Sequence, residues 1–277
     1  MNKSGVKIAN IKAMRNQNIE SKEDVLVVEE PLEIRLRYGP ALDRNEIKLA
    51  ITMRTPGNDF ELVRGFLFSE GIIHSAIDIL SIKYCINTKE TEENNIIKVE
   101  LAETVNLNEQ QFKRNFYMTS SCGVCGKSSI ESVMENCDLK ITHQKTFNLN
   151  QILELPEKLR SEQISFKHTG GLHASALFDE EGKIVLLRED VGRHNALDKV
   201  IGALLDENLS EYGLILSGRI SFELMQKAAI AGIQLVCAIG APSSLAVDMA
   251  KQFNMTLIGF LKSDKLNIYS GEERLKL

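Results

Sequence analysis

Hydrophobic and polar positions divide the chain into two regions of different rhythm. Residues 1–20 are polar and carry no sustained apolar period, which predicts a loosely held tail. An extended run over 25–38 reads as two strands. Over 46–53 the apolar residues Ile47, Leu49, Ile51 and Met53 occupy alternate positions, the period-two pattern of a half-buried strand. Thr55-Pro56-Gly57-Asn58 then marks a turn. Over 59–73, Phe60, Val63, Leu67 and Phe68 approximate one helical stripe, with Asn58 or Asp59 placed to cap its start. Segments 79–88 and 96–101 read as a hairpin across a polar, acidic loop. The expectation is a smaller N-terminal α+β domain over 21–118.

From about residue 145 strands and helices alternate, the order that favours a largely parallel or mixed sheet covered by helices. The predicted strands are 171–178, 183–188, 213–217, 234–239, 256–261 and 266–269. Helices are predicted over 195–205, 221–231 and 243–253, the first with Ala196, Leu197, Val200, Ile201, Leu204 and Leu205 on one face. The polar stretch 136–150 is the boundary region. The fold class is therefore α/β, with an α/β cofactor-binding domain over 145–277 and a connecting segment over 119–144.

Composition narrows the class of function. The 277 residues carry 43% hydrophobic and 26% charged positions, ordinary for a chain with a packed core. A formal charge of −5 disfavours a general nucleic-acid or anionic-membrane binder, so any anion site must be local. No apolar run is long enough to span a bilayer and the first residues lack a signal-peptide pattern, which leads to a cytoplasmic expectation. Five cysteines, an odd number, do not form a secreted disulfide framework.

The connecting segment holds the most reactive pattern, Ser120-Ser121-Cys122-Gly123-Val124-Cys125-Gly126-Lys127. It lies between a predicted strand over 115–118 and a predicted helix over 127–135. A glycine-rich loop would present both thiols at a helix N-terminus, where amide dipoles and Lys127 favour the thiolate. Four readings of the residues stay open at this point. The cysteines could fill core, exchange a disulfide, bind zinc together with Cys137 and His143 in a C-x2-C-x11-C-x5-H arrangement, or carry a persulfide. Deaminase chemistry is disfavoured: His173-Ala174-Ser175 has serine where the glutamate proton shuttle belongs, and Cys237 is the sole later cysteine.

The remaining polar clusters fall at predicted strand ends, where open α/β sheets bind ligands. These are Arg188-Glu189-Asp190-Val191-Gly192-Arg193-His194-Asn195, Ser217-Gly218-Arg219 and Pro242-Ser243-Ser244. Each cluster alone is explained by capping and solvation. Recurring after successive strands, they point to one shared pocket for a phosphate-bearing ligand.

Taken in order, Thr52-Met53-Arg54-Thr55-Pro56-Gly57, Gly65 to Gly71, the cysteine loop, Thr169-Gly170-Gly171-Leu172-His173-Ala174, Arg188 to Lys199, Ser217-Gly218-Arg219 and Ala241 to Ser244 resemble the FdhD family of formate dehydrogenase accessory sulfurtransferases. The resemblance runs from about Glu30 to the C-terminus. It implies a cytidine deaminase-like α/β fold for the C-terminal domain and a homodimer. It implies that a cysteine desulfurase loads sulfur onto the loop of Cys122 and Cys125; Cys122 is taken here as the persulfide carrier and Cys125 as its relay or assistant, although the sequence does not order the two. The acceptor it implies is a molybdenum bis-molybdopterin guanine dinucleotide cofactor destined for formate dehydrogenase, with no permanent metal in the chain. Cofactor contacts carried over in this way are Phe260, Leu261, Lys262, Ser263, Asp264 and Lys265, joined by His173, Arg193, Ser217, Arg219 and Ser243. Lys262 and Lys265 stand where the family has arginines. They keep the charge but not the two-pronged guanidinium geometry.

Overall fold

The computed structural model describes residues 5–85, 94–105, 107 and 145–277. The cysteine loop, Cys137, His143 and the strand and helix expected around them lie outside the described residues.

In place of a loose tail, the chain opens with an antiparallel hairpin of β1 (Val6–Arg15) and β2 (Asn18–Val27). Its two-residue turn puts Asn16 and Gln17 at φ 47° and 68°, the left-handed conformation that matches the twist of paired strands. The polar composition that suggested a tail is accounted for by exposure: no residue of either strand is buried.

A four-stranded sheet follows, in the order β4-β3-β6-β5, from β3 (Glu30–Tyr38), β4 (Asn45–Arg54), β5 (Ile79–Tyr84) and β6 (Ile96–Leu101). The expected hairpin is the antiparallel β5–β6 pair. Helix α1 (Asp59–Ser69) packs on one face, so Leu32, Ile34 and Leu36 meet Leu62, Val63 and Leu67 in a common core. Asn58 occupies the cap position in left-handed conformation, without a side-chain capping bond. Asp59 is instead buried against Arg54, with Nε–Oδ1 and Nη2–Oδ2 distances of 3.0 and 2.9 Å.

After 145 come β7 (Phe147–Asn148), α2 (Leu149–Glu162) and α3 (Ile164–Thr169). Helix α2 was not expected from the sequence. Asn148 caps it by accepting from the Asn150 and Gln151 amides, and Ile152, Leu155 and Leu159 form its buried stripe. Six further strands build a mixed sheet: β8 (His173–Phe178), β9 (Ile184–Asp190), β10 (Gly213–Leu216), β11 (Leu235–Ala238), β12 (Thr256–Gly259) and β13 (Asn267–Ser270). Their order is β13-β12-β11-β10-β8-β9. Each of the six predicted strands is present, four of them shortened, while β9 runs two residues further, to Asp190, and β13 is displaced by one residue, to Asn267–Ser270. Helices α4 (Arg193–Ala203), α5 (Phe222–Ile230) and α6 (Ser244–Gln252) contribute to the core on one face, and α2 to the core on the other. A final strand, β14 (Leu275–Lys276), pairs with β7.

Helices α1 and α4 join the two regions, and Phe68 packs against both of their cores. The approach is close enough to exclude side chains. A Cβ on Gly65 would lie 1.8 Å from the Asp198 carbonyl oxygen, and one on Gly202 would lie 1.9 Å from that of Glu61. Both obstacles are backbone, so rotamer changes cannot relieve them. Gly65→Ala and Gly202→Ala should each destabilise the protein by about 3 kcal/mol or more, as overpacking that must separate two helices does. Urea unfolding of the variants measures this; a loss below about 0.5 kcal/mol would contradict the packing described.

Candidate functional site

Strands β10, β11 and β12 are parallel, so the loops that follow them emerge at one edge of the sheet. Backbone hydrogen bonds tie those loops together. The amide of Gly240 donates to Gly218 O at 3.0 Å, that of Phe260 to Gly240 O at 3.0 Å, that of Ile220 to Ala241 O at 3.1 Å and that of Ser243 to Ile220 O at 2.9 Å. Glycine at 240 is required by this stacking, because a Cβ there would sit 2.8 Å from Gly218 O. Strand β8 runs antiparallel to β10 and therefore begins at this same edge, with His173. Its next residue is fastened by the Ala174 amide donating to Ser217 Oγ at 2.8 Å. His173 then borders Gly218 so closely that a Cβ there would be 3.2 Å from its Nδ1.

Strand β9 ends opposite His173, at Asp190, and leads through Gly192 into α4. The first turn of α4 carries Arg193 and His194. His194 Nε2 lies 2.9 Å from Glu223 Oε2 and 3.5 Å from Ser221 Oγ, at the start of α5. Three helix starts thus face one strand edge, and at two of them the capping residue, Gly192 or Ser221, makes no side-chain capping bond. Helix N-termini of this kind attract anions through unpaired amides and the helix dipole. The His173 pKa is lowered, first by burial and then by Arg193, His194 and Arg219, with Asp190 opposing. His173 is therefore neutral near pH 7, in a local field made positive by two arginines.

The residues expected in this pocket divide into several kinds. Arg193 and Arg219, with His173, are brought together, and His194 with Glu223 adds a pair that sequence reasoning did not single out. Ser217 spends its hydroxyl on Ala174, and Ser243 caps α6 by accepting from the Ala246 amide at 3.2 Å. Leu261 directs its side chain into the core below the sheet. Phe260 is 44% exposed at φ 52°, and Lys262, Ser263, Asp264 and Lys265 are exposed, with the Lys262 amide closing a turn onto Lys265 O at 2.8 Å. Ser175 is buried within β8, and burial pushes the Cys237 thiol pKa far up. Neither can stand in for the deaminase glutamate or cysteine ligands. Cys122 and Cys125, with Cys137 and His143, lie outside the described residues. Among the described residues no cluster of three His, Cys, Asp or Glu side chains is arranged to hold a metal ion.

Much of the Arg188 to Lys199 motif serves a different purpose. Asp190 is buried, and its carboxylate accepts from the Gly192 amide at 2.9 Å, Asn195 Nδ2 at 3.1 Å, the Thr55 amide at 3.1 Å and Lys199 Nζ at 2.7 Å. Lys199 also donates to Thr55 O at 3.0 Å and Glu189 O at 3.3 Å. Asn195 reaches Met53 O at 2.7 Å and accepts from Thr52 Oγ1 at 3.1 Å. Arg188 forms a bidentate pair with Glu61 at 2.6 and 2.8 Å. Farther along α4, Asp198 accepts from Lys227 and from Ser69 Oγ, and Lys227 also faces Glu70. Burial alone would lower the Lys227 pKa, but Asp198 and Glu70 outweigh it and leave it raised. The Thr52–Gly57 and Gly65–Gly71 motifs are thus the first region's half of this polar joint. One signal for it was present in the sequence: Asn195, Asp198, Lys199 and Gly202 recur at helical spacing opposite the apolar face of α4.

Comparison with known proteins agrees with this arrangement of motifs. Residues 27–276 match the model of the FdhD/NarQ family. A protein of Streptomyces avermitilis named sulfur carrier protein FdhD is 46% identical over 95% of this chain and 93% of its own length. Its namesake from Saccharolobus solfataricus is 41% identical over 98% of this chain and 99% of that protein. A crystal structure from Desulfotalea psychrophila, provisionally assigned as a formate dehydrogenase accessory protein, superposes with a TM-score of 0.73 over 99% of this chain and all of its own, at 20% identity. The last likeness is one of fold alone. The family match and the full-length identities establish that the chain belongs to the FdhD/NarQ family.

Proposed function

We propose that the protein is a sulfur carrier acting in formate dehydrogenase maturation. It accepts persulfide sulfur from a cysteine desulfurase on Cys122 or Cys125 and delivers it to a molybdenum bis-molybdopterin guanine dinucleotide cofactor. The observation that carries this reading is the 46% identity, over nearly the whole chain, to a protein named a sulfur carrier. In the loading step a thiolate of the pair attacks the outer sulfur of the desulfurase persulfide. A new S–S bond forms on the carrier as the old one breaks, and the desulfurase thiolate leaves. The molybdenum cofactor is substrate and cargo here, and its pyrophosphate groups suit the strand-edge pocket. Arg193, Arg219 and the starts of α4 and α5 supply positive charge and amide donors for phosphate. Lys262 and Lys265 add charge on the neighbouring loop, and Phe260 an exposed aromatic face. A deaminase-like fold for 145–277 is part of the same proposal, supported by the mixed sheet with helices on both faces and by His173 at the start of β8. So are a cytoplasmic location and separate domains over 21–118 and 145–277. Among the described residues no helix is long and apolar enough to cross a membrane.

Incubation with a cysteine desulfurase and cysteine, without reducing agent, should add the mass of sulfur to the intact protein. Digestion should place it on the peptide containing Cys122 and Cys125. Cys122→Ser combined with Cys125→Ser should abolish the adduct, and a wild-type protein that gains none would refute the reading.

Binding of guanosine diphosphate provides the second test. Arg219→Ala or Arg193→Ala should weaken it about tenfold, the scale of one charge-assisted contact. Its pH dependence has a definite sign. His173 is neutral in the free protein because burial and nearby cations lower its pKa, and a bound phosphate offsets those cations and raises it. Binding therefore takes up a proton, so affinity should increase as the pH falls from 7.5 toward 6. Isothermal titration across that range should find a flatter slope in His173→Gln, and affinity that falls on acidification would contradict the assignment.

A further inference from the structure

A row of cations that neither the joint nor the pocket uses crosses the N-terminal sheet on the face opposite its core. Alternate residues of a strand share a face, so with Ile34 and Leu36 in the core, Glu33, Arg35 and Arg37 of β3 point the other way. The register then aligns the neighbouring strands. Arg35 is opposed by Lys48 on β4 and by Lys98 on β6, and Lys98 is opposed by Lys83 on β5. Lys48, Arg35, Lys98 and Lys83 therefore form one line across all four strands.

Like charges directly opposed destabilise a sheet, and the chain offsets this row only in part. Glu33 serves two of the cations, Arg35 and, at 3.5 Å, Lys48, whose side chain is 71% exposed. Glu46 pairs with Lys98 at 2.7 Å. Lys83 is exposed and forms no ion pair among the described residues. The flanking row toward the end of β3 is mixed, with Glu46, Arg37 and Glu100 across successive strands. On the other flank Ile51, Glu33 and Ile96 lead to Met53 beside Pro31, and of these Ile51 and Met53 are exposed. Cations exceed carboxylates on this face, although the chain as a whole carries −5.

We propose that this face docks an acidic helix of a protein partner, which crosses the strands and sets one carboxylate per turn along the cation row. Spacing selects a helix. Neighbouring strands lie about 4.8 Å apart, so the row spans about 14 Å. Carboxylates one helical turn apart repeat at about 5.4 Å and match four cations to within about 2 Å, a mismatch that long lysine side chains absorb. Same-face residues of an extended segment repeat at about 6.7 Å and overrun the row by about 6 Å. A nucleic acid is opposed by Glu33, Glu46 and Glu100 and by the net charge of the chain, whereas a protein helix can also cover Ile51 and Met53. The end of β4 that carries these two meets the first turn of α4, where Asn195 donates to Met53 O, so the docked helix lies on the sheet that buttresses the pocket. The surface is separate from the cysteine chemistry, and its test stands whether or not the sulfur-carrier reading holds.

Fluorescence anisotropy with the full-length chain provides that test. The probe is a labelled alanine-based helical peptide with one glutamate per turn along a single face; the comparison peptide has the same composition with its glutamates spread around the helix. The wild type should bind the striped peptide at least about tenfold more tightly, and added salt should weaken the complex. Lys48→Glu with Lys83→Glu should weaken it at least about tenfold with unchanged circular dichroism, because both side chains are exposed and the new carboxylates oppose Arg35 and Lys98. Lys83→Ala alone should weaken it about threefold, the scale of one exposed ion pair. Lys183→Glu with Lys251→Glu alters net charge equally but away from the face, and Arg219→Ala removes a cation of the pocket; neither should change the affinity. No binding, equal binding of the two peptides, indifference to Lys83→Ala and to the Lys48 and Lys83 reversals, an equal loss in either control variant, or tighter binding of duplex DNA than of the striped peptide would each overturn the proposal.

Discussion

The carboxylate of Asp190 is the point on which the joint between the two regions depends. An ionised carboxylate offers about four acceptor positions, and here each oxygen receives two donors. Gly192 and Asn195 donate to one, and Thr55 and Lys199 to the other. Lys199 in turn spends its three protons on Asp190, Thr55 O and Glu189 O. A buried pair this fully satisfied recovers its desolvation cost, whereas removal of one partner strands the other and costs about 3–5 kcal/mol. The partners come from the β9–α4 corner and from the turn after β4, so the interaction fixes two segments that are 135 positions apart at Thr55 and Asp190. Its geometric tolerance is small because α1 and α4 touch through glycine backbones at Gly65 and Gly202.

This joint explains why the pocket is built where it is. Arg193 and His194 follow Gly192 directly, and Gly192 is held by Asp190. Their positions at the strand edge are therefore set by contacts that reach the Thr52–Gly57 turn. The N-terminal sheet contributes no polar side chain to the pocket among the interactions described, yet it buttresses the helix whose first turn does. A ligand drawn by Arg193 and Arg219 binds to a helix start that is already immobilised, and so incurs little further loss of conformational entropy.

Elements with strong local periodicity were legible in the sequence. A strand over 46–53, helix α1 and the six strands after 145 are all present, but the alternation in β4 does not hold throughout: Leu49 is buried whereas Ile51 and Met53 are 59% and 46% exposed, because the register shifts beside Ile34 and the inward face passes to Ala50 and Arg54. The hairpin was missed because its strands are exposed and its turn is Asn16-Gln17 rather than the usual asparagine-glycine pair. Helix α2 was missed because its start lies inside a polar stretch and it contains Pro156, a residue that argues against a helix interior, although Asn148 provided a cap. The Arg188 to Asn195 cluster reads in the sequence as part of a ligand site, and only its Arg193-His194 portion stands at the strand edge; Arg188, Asp190 and Asn195 are bonded within the chain. Charge in a sequence does not reveal whether its partner is a ligand or another part of the chain. Here the partners, Thr55, Glu61, Ser69 and Glu70, stand more than a hundred positions away from the β9, α4 and α5 residues they meet.

An acidic chain with cationic groups gathered at one strand edge would suit the polyphosphate cargo proposed above. The formal charge of −5 leaves most of the surface repelling anions, which limits nonspecific retention of nucleotides and nucleic acid. At the strand edge the balance reverses locally. Arg193 and Arg219 are permanently charged, while His173 is kept neutral by burial and by those same arginines. A neutral imidazole beside such charges would accept a proton if an anion bound there and release it when the anion left, which is the behaviour the proposed function requires. Asp264, on the exposed loop between Lys262 and Lys265, would oppose a phosphate at the rim, where solvent screening weakens it. If the proposed cargo sits at this edge, the inner residues would carry most of its retention, and the rim would contribute less than its two lysines alone suggest.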